Sequence, residues 1–321
     1  MLTASQLAKV LTAILCIPLP KKKWRLFVRR FFSRFYLLEE IHRKFERSLG
    51  YSLNLQNPRT FNEKIQWYKL YYYNELFSLC SDKVRVRDYF ATKSLAQFQV
   101  PLLGVWESYD QIDWQTLPAQ LVFKTNHAAN QIWIIRNKNS FDRKRFRKEV
   151  TEALECPFGE KGAQFHYGKI KPRILAEEYL TDDTGQLLDY KVYCFQGKAY
   201  FIQVDFDRFS NHTYALYDRN WVDTGCRTTS MNVSRPSVLE EVLSIAKILS
   251  ADFPHVRVDF FIVGDKIYLG EMTFTTGSGF DSFTPEKWDL IMGECWDLDK
   301  ITPDSIRQKP CLCLFDYAPN H

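Results

Sequence analysis

The sequence has 321 residues, of which 45% are hydrophobic and 25% charged, and this composition excludes a disordered or collagen-like chain. The net charge of +5 is concentrated in residues 21–34, which contain seven basic residues and no acidic one. Without those seven charges the net charge is −2, so the rest of the chain is slightly acidic and no nucleic acid partner is expected.

The eight cysteines lack the spacing of zinc ligands and the density of a disulfide framework. We interpret them as reduced core thiols of a cytoplasmic protein.

The N-terminal segment, residues 1–48, combines an apolar run with a basic stretch. The run at residues 10–19 is too short to span a bilayer. From Trp24 onward, apolar residues recur at helical spacing and the arginines lie off the apolar face. A basic amphipathic helix with Trp and Phe on its apolar side is typical of a helix that lies on a membrane surface. We therefore predict that residues 1–34 bind an anionic membrane, such as the inner face of the plasma membrane. The alternative is a helix that docks on the protein's own core.

Downstream, the chain mixes predicted helices and strands without strict alternation. Helices are predicted within residues 58–75, at 82–96 with Asp82 as the N-cap, at 141–155, and from Pro236 as the first helical position. Strands are predicted at residues 121–124, 132–136, 173–176, 191–195 and 200–204, followed by a hairpin of 256–263 and 267–274. Because much of the sheet is predicted to be antiparallel, the expected fold class is α+β.

The predicted hairpin carries the most informative polar residues. Arg257 and Asp259 lie two apart on its first strand, and Glu271 and Thr273 lie two apart on its second. Residues two apart on a strand share a face, and carboxylates from adjacent strands can bind a hard ion such as Mg²⁺. An arginine on the same face can hold a phosphate or a developing oxyanion. The alternative is an ordinary hairpin whose charges face solvent.

Whether Asp259 and Glu271 share a face depends on the hairpin register. A three-residue loop at 264–266 would pair them directly and would place Arg257 opposite Thr273. A two-residue turn would shift the register by one residue and send the two carboxylates to opposite faces, unless a bulge corrects it. Because a shared metal ion requires a common face, we predict the three-residue loop or an equivalent bulge.

Three segments upstream of the hairpin also carry candidate site residues. Lys124 ends the apolar strand at 121–124 and precedes a loop of small residues, and a lysine beside a loop of free N–H groups is typical of a phosphate site. Residues 174–180, ILAEEYL, form a buried-looking strand that runs into two carboxylates. Asp189 and Lys191 open the next strand.

In this order, the motifs resemble those of ATP-grasp enzymes over residues 80–320. More narrowly, the chain resembles the TupA-like ATP-grasp family, which is associated with teichuronopeptide and other surface polysaccharides. The matching segments are PRTFNEKIQW, SDK, FKTNH, EEYL, DYKVYCFQG, RVDFF and GEMTFTTGSG. The resemblance implies a helical lobe at residues 49–115 and two ATP-grasp subdomains, at 116–185 and 186–321, that grip ATP between mainly antiparallel sheets.

The resemblance also implies a role for each matching position. The residues expected to contact ATP are Lys83 and Lys124 at the phosphates, Glu177, Glu178, Tyr179 and Leu180 at the adenine, and Asp189 at the ribose. Further candidates for phosphate contact are Lys191 and Arg208. The expected Mg²⁺ ligands are Asp259, Glu271 and Thr273, the last at a position where many ATP-grasp enzymes have Asn. The groups expected to act in catalysis are Lys124, Arg257 and the backbone of residues 277–279, including Gly279.

The implied activity is the ATP-dependent joining of a carboxylate to an amine through an acyl phosphate, with ATP and Mg²⁺ as cofactors. The family suggests a uronic acid of a surface polysaccharide, or of its precursor, as the carboxylate, and an amino acid or another amine as the second substrate. One alternative is a polysaccharide glycosyltransferase, in which residues 205–207, Asp-Phe-Asp, bind a metal and a nucleotide sugar. The other is a non-catalytic ATP-grasp protein, because the loop at 127–130 lacks the glycines usual in the family.

Overall fold

The computed structural model describes residues 37–312, apart from residues 157, 160, 161, 182–186 and 207–211. The predicted membrane-binding segment, residues 1–34, and the candidate phosphate ligand Arg208 lie outside the described residues. Along the part of the chain that is described, no helix has both the length and the apolar character needed to cross a membrane.

The described residues contain seven α-helices. Residues 37–49 form α1. The others are α2 (Phe61–Tyr71), α3 (Leu76–Ser81), α4 (Val86–Thr92), α5 (Arg143–Glu155), α6 (Leu239–Ser250) and α7 (Lys287–Glu294). The start of α2 is fixed by a capping box, since the Thr60 hydroxyl accepts from the Glu63 N–H and the Glu63 carboxylate accepts from the Thr60 N–H.

Four antiparallel strands form the smaller of two sheets, in the order β1-β4-β2-β3. They are β1 (Leu102–Trp106), β2 (Leu121–Thr125), β3 (Ile132–Ile135) and β4 (Ile174–Glu178). Burial alternates along β2, and Phe123 packs against Phe146 and Val150 of α5. Val122 and Lys124 therefore lie on the opposite face, away from this core.

Six antiparallel strands form the larger sheet, in the order β10-β9-β5-β6-β7-β8. They are β5 (Asp189–Phe195), β6 (Lys198–Phe206), β7 (Thr213–Asp218), β8 (Asp223–Arg227), β9 (His255–Val263) and β10 (Lys266–Thr273). Helix α6 packs against β5, β6 and β9, and the Cys194 thiol reaches the carbonyl of Ala246 on that helix. Because side chains alternate along β5, Lys191 and Tyr193 lie on the face away from α6. Their β9 partners, Asp259 and Arg257, lie there with them.

Two helix starts predicted from the sequence are wrong. Helix α4 begins four residues after Asp82, whose carboxylate accepts instead from the N–H groups of Val84 and Arg85 in the preceding turn. Helix α6 begins three residues after Pro236, whose carbonyl accepts the N–H of Leu239. In both places the residue that was predicted to start the helix belongs instead to a tight turn that precedes it.

Three strands, β1, β7 and β8, were not predicted from the sequence. Strand β8, DTGCR, is polar and contains Gly225 at φ 75°, so it lacks the apolar alternation of a recognisable strand. It is a strand because β7 pairs with it along the edge of the larger sheet.

Candidate functional site

A cavity of about 410 Å³ lies between the two sheets and contains most of the candidate residues. The predicted residues that line it are Lys83, Lys124, Glu177, Glu178, Tyr179, Leu180, Asp189, Asp259 and Glu271. They come from both sheets and from the loops beside them, so the fold brings together residues as far apart as 83 and 271. Lys191, Arg257, Thr273 and Gly279 do not line the cavity itself.

One part of the cavity wall is apolar, a feature that was not predicted from the sequence. Its side chains are Val100, Val122, Ile132, Ile134, Leu187, Leu188 and Phe261. Apolar walls with a few well-placed polar groups are typical of sites that bind a small molecule and orient it. Alternation along β2 and β3 could have indicated this wall, but only the pairing of the sheets shows that Phe261 faces it.

At the polar end, Lys124 forms an ion pair with Glu177. The distance from Lys124 Nζ to Glu177 Oε2 is 2.6 Å, and Arg87 Nη1 lies 3.6 Å from Glu177 Oε1. Glu177 is therefore a buried carboxylate between two cations. Arg87, which was not among the predicted site residues, supports this arrangement from α4.

Lys83 connects the loop after β2 to the hairpin. Its Nζ donates to the carbonyl of Ala128 at 2.7 Å and lies 3.6 Å from Glu271 Oε2. Burial lowers the pKa of Lys83, an effect that Glu271 opposes. At the start of the loop after β2, the Asn126 side-chain amide donates to Asp82 Oδ1 at 2.9 Å and so ties the loop to the turn before α4. Asn130 occupies the left-handed region at φ 59°, where a glycine would be less strained.

The hairpin formed by β9 and β10 has a two-residue turn, and a bulge in β10 then restores the predicted pairing of Arg257 with Thr273. The predicted three-residue loop is wrong, since Val263 pairs with Lys266 and the turn has two residues. The register then shifts between Leu269 and Met272, so that Thr273 pairs with Arg257. This bulge was the stated alternative, and it is confirmed.

The bulge brings the hairpin's polar side chains to one cation. Arg257 Nε and Nη2 each donate to a carboxylate oxygen of Asp259 at 2.6 Å. The same Nη2 lies 3.5 Å from Glu271 Oε1 and 3.2 Å from Thr273 Oγ1. Asp259 and Glu271 therefore lie on one side of the hairpin, as a shared ion requires. Burial disfavours the charged guanidinium, but the two carboxylates outweigh it and raise the pKa of Arg257.

A second buried ion-pair cluster lies beside the first on the larger sheet. Lys191 pairs closely with Asp205 and lies 3.4 Å from Asp189. Asp205 Oδ1 also accepts from Gln203 at 2.6 Å, and His212 Nε2 lies 3.1 Å from Asp205 Oδ2. Asp205 lines the cavity, although its sequence context indicates it only as part of a glycosyltransferase motif. The pairing of Asp189 with Asp205 on β5 and β6 explains the cluster.

The glycine loop after β10 has three consecutive residues in the left-handed region: Gly277 and Ser278, both at φ 54°, and Gly279 at φ 69°. A Cβ on Gly279 would lie 2.7 Å from Gln66 Nε2 of α2, so this position also requires glycine for space. The Ser278 and Phe280 N–H groups bond to carbonyls within the loop. The predicted catalytic Gly279 thus lies in a strained turn packed against α2.

The carboxylates and hydroxyl of the hairpin suit Mg²⁺. Among the described residues, no group of three or more His, Cys, Asp or Glu side chains could hold a metal ion. Mg²⁺ does not need such a group, because it keeps several waters and is usually bound by one or two carboxylates together with substrate phosphates. Asp259 and Glu271 provide that donor set, and Thr273 adds a neutral oxygen beside it.

The sequence matches the family model described as TupA-like ATPgrasp over residues 63–297. The chain belongs to the TupA-like ATP-grasp family. This result confirms the family and the α+β ATP-grasp fold predicted from the motifs.

Solved structures of ATP-grasp enzymes are distantly similar. D-alanine–D-alanine ligase from Bacillus anthracis, complexed with ATP, is 14% identical, with 63% of this chain and 56% of that chain covered and a TM-score of 0.38. The same enzyme from Helicobacter pylori is 13% identical, with 77% and 69% covered and a TM-score of 0.40. N5-carboxyaminoimidazole synthetase from Staphylococcus aureus, complexed with ADP, is 14% identical, with 71% and 54% covered and a TM-score of 0.37. The chain thus spans little more than half the length of the Bacillus anthracis ligase and of the Staphylococcus aureus synthetase. No curated protein sequence matches it.

Proposed function

We propose that this protein is an ATP-dependent carboxylate–amine ligase that forms an amide through an acyl phosphate. The observation that carries the proposal is the arrangement of the hairpin at the cavity. Asp259 and Glu271 lie on one side of Arg257, and Lys83 and Lys124 lie in the same cavity. Two carboxylates for a metal ion and several cations for phosphate are the groups that phosphoryl transfer requires.

In this proposal ATP lies in the cavity with its base against the apolar wall. Glu178, Tyr179 and Leu180 border the adenine, and Asp189 borders the ribose. Lys124 and Lys83 hold the phosphates, so each exchanges an internal partner, Glu177 or the Ala128 carbonyl, for a phosphate oxygen. Asp259, Glu271 and Thr273 would hold Mg²⁺, which neutralises charge on the phosphates when bound.

The reaction proceeds in two steps that need no covalent bond to the protein. A carboxylate oxygen of the first substrate attacks the γ-phosphorus, the bond to the bridging oxygen breaks, and ADP leaves. The neutral amine nitrogen then attacks the acyl carbon and gives up one proton. The bond between that carbon and the phosphate oxygen breaks, inorganic phosphate leaves with the proton, and an amide remains. The negative charge that develops on the carbonyl oxygen is stabilised by Arg257 and by backbone N–H groups of the loop around Gly279.

For the substrates, we propose a uronic acid of a cell-surface polysaccharide, such as a capsule or O-antigen, or of its precursor, and an amino acid or another amine. The support is the family's association with teichuronopeptide.

We also propose that residues 1–34 hold the enzyme at the inner face of the plasma membrane. The support there is the sequence alone, because each basic residue near an anionic surface contributes roughly 1 kcal/mol.

The glycosyltransferase alternative has weaker support. Asp205, the first residue of its motif, is buried and closely paired with Lys191, so its carboxylate is already neutralised. Asp207 lies outside the described residues. A measurement of ADP formation distinguishes the ligase from the non-catalytic alternative, because a non-catalytic protein would bind ATP without forming ADP.

The first expected result concerns nucleotide choice. Mg-ATP is expected to raise the melting temperature by a few degrees at about 100 times its dissociation constant, which corresponds to roughly 2.7 kcal/mol of stabilisation. UDP-sugars with Mg²⁺ serve as the control and should leave it unchanged. A shift with a UDP-sugar and none with any adenine nucleotide would contradict the proposed function.

The second expected result concerns phosphate binding. Lys124→Ala is expected to lower activity by well over tenfold, about 1.4 kcal/mol or more, because a cation that faces the phosphates is lost. The fold should persist, since Glu177 keeps Arg87 as a neighbour. Lys198→Ala, on an exposed lysine of β6, is the matched control. Unchanged turnover in Lys124→Ala would return Lys124 to a structural role.

A further inference from the structure

A buried polar cluster joins three segments of the chain beside Lys83. Its side chains are Asp82 in the turn before α4, Asn126 in the loop after β2, and Arg173 just before β4. Asp82 and Asn126 are buried, and the proposed mechanism uses none of the three. Because Lys83 lines the cavity and directly follows Asp82, the cluster borders the proposed ATP site.

Asn126 connects the three segments through all of its polar groups. Its side-chain amide donates to Asp82 Oδ1 at 2.9 Å and to the Lys171 carbonyl at 3.0 Å, and its Oδ1 accepts the Arg173 N–H at 2.6 Å. Its backbone N–H donates to the Arg173 carbonyl at 3.1 Å, and its carbonyl accepts the Lys83 N–H, also at 3.1 Å. A buried amide whose donors and acceptors are all used has one orientation, so Asn126 fixes how the three segments lie against one another.

Asp82 is the buried negative charge of the cluster. Its Oδ1 also accepts the N–H groups of Val84 and Arg85, at 2.9 and 3.3 Å, and its Oδ2 lies 3.3 Å from Arg173 Nη2. A buried carboxylate is tolerated when it is paired and hydrogen-bonded in this way. The turn that carries Lys83 is therefore held against the start of β4 as well as against the loop after β2.

Lys83 has two separate anchors in this arrangement. Its backbone N–H is held by the Asn126 carbonyl, and its Nζ donates to the Ala128 carbonyl at 2.7 Å. The same Nζ lies 3.6 Å from Oε2 of Glu271, a proposed metal ligand. A phosphate oxygen can replace the Ala128 carbonyl at Nζ without breaking the bond between the Lys83 N–H and Asn126. The backbone of Lys83 thus stays fixed while its ammonium group changes partner.

We propose that Asp82, Asn126 and Arg173 are positioning residues that hold Lys83 where its ammonium group can reach the phosphates of ATP. The inference rests on the proposed function, because it concerns the same nucleotide site. The three residues are not part of the cavity lining, so their effect on ATP binding passes through Lys83, which is. By fixing the backbone of that residue in advance, they lower the cost of ordering it when ATP binds.

The test is a double-mutant cycle on the affinity for Mg-ATP, measured by titration calorimetry with the full-length protein. Lys83→Ala is expected to raise the Kd about 10- to 100-fold, and Asn126→Leu about tenfold, the effects of losing or displacing a hydrogen bond to a charged group. Because Asn126 acts through Lys83, Asn126→Leu in the Lys83→Ala background should change the Kd less than about twofold. A purely structural role predicts instead that the two losses multiply.

Asp82→Asn is the second variant, and it decides the test if Asn126→Leu does not melt cooperatively. Asn keeps the volume of Asp and an oxygen for the Val84 and Arg85 N–H groups, so the turn should fold, but the charge that pairs with Arg173 is lost. The Kd for Mg-ATP should rise about fivefold, the difference between a charged and a neutral hydrogen bond. Through charge alone, removal of a carboxylate would favour the phosphates and lower the Kd, so the direction of the change separates positioning from electrostatics.

Asn74→Leu is the matched control, because the Asn74 amide also joins two segments, by a bond to the Asp252 carbonyl at 3.3 Å, but lies outside the cavity lining. It should leave the Kd within about twofold. Losses that multiply with that of Lys83→Ala, or a Kd that stays unchanged or falls in both Asn126→Leu and Asp82→Asn, would overturn the inference while the proposed function stands. If the wild-type protein does not bind Mg-ATP, the proposed function fails first and the inference falls with it.

Discussion

Arg257→Gln is expected to lower kcat about 100- to 1000-fold, which makes it one of the two most damaging substitutions in the site. Removal of a single preorganised donor to a developing oxyanion typically has an effect of this size. The Nη1 group of Arg257 makes no hydrogen bond to the described residues, whereas Nε and Nη2 are held by Asp259. The guanidinium therefore has a fixed orientation and a free edge.

Arg257→Lys separates the charge from the geometry. It keeps a cation between Asp259 and Glu271, so the fold should persist, but a lysine cannot reproduce the planar fork, and kcat should still fall strongly. Arg145→Gln, which breaks an exposed ion pair with Glu149 on α5, is the control and should leave kcat within about twofold. Full activity in Arg257→Lys would show that only the charge matters, and full activity in Arg257→Gln would exclude a catalytic role.

Asp259→Asn is expected to lower activity at least about 100-fold, because the metal's contribution to stabilising phosphate charge amounts to several kcal/mol. The Mg²⁺ concentration that gives half-maximal activity should rise as well. Asn has the volume of Asp, and Arg257 keeps Glu271 and Thr273 as partners, so the hairpin should retain its register.

The measurement is ADP formation over a Mg²⁺ titration, with the melting temperature as a check on folding. Asp265→Asn, at the turn of the same hairpin, is the matched control and should alter neither quantity. A variant of Asp259 with normal activity and a normal Mg²⁺ requirement would remove this residue from the metal site.

Much of the candidate site could be predicted because its residues occur in local patterns. Lys124 ends an apolar strand, Glu177 and Glu178 end another, and Asp259 and Glu271 lie on two strands joined by a Gly-Asp turn. Strand alternation and turn chemistry act over a few residues, so they can be read directly from the chain. The order of seven such segments then sufficed to identify the family.

The bulge in the hairpin shows where local patterns end. With either a two-residue or a three-residue turn, large residues lie on both faces of the hairpin, so apolar alternation does not indicate which register forms. The turn took its preferred two-residue form, and the extra residue was absorbed at Gly270, where an added Cβ would lie 3.1 Å from the Asp259 carbonyl. Glycine tolerates that close approach, which is why the correction occurs there.

The remaining features were decided by tertiary structure, because they join residues far apart in the chain. Asp205 lies in the cavity because β5 and β6 pair in one register, and Arg87 supports Glu177 because α4 packs beside the smaller sheet. Gln66 holds Gly279 across 213 positions. The sequence by itself determined which chemical groups the protein has and the local elements that carry them. Which of those groups meet depended on sheet pairing and helix packing, since most buried polar groups take a partner that local sequence does not specify.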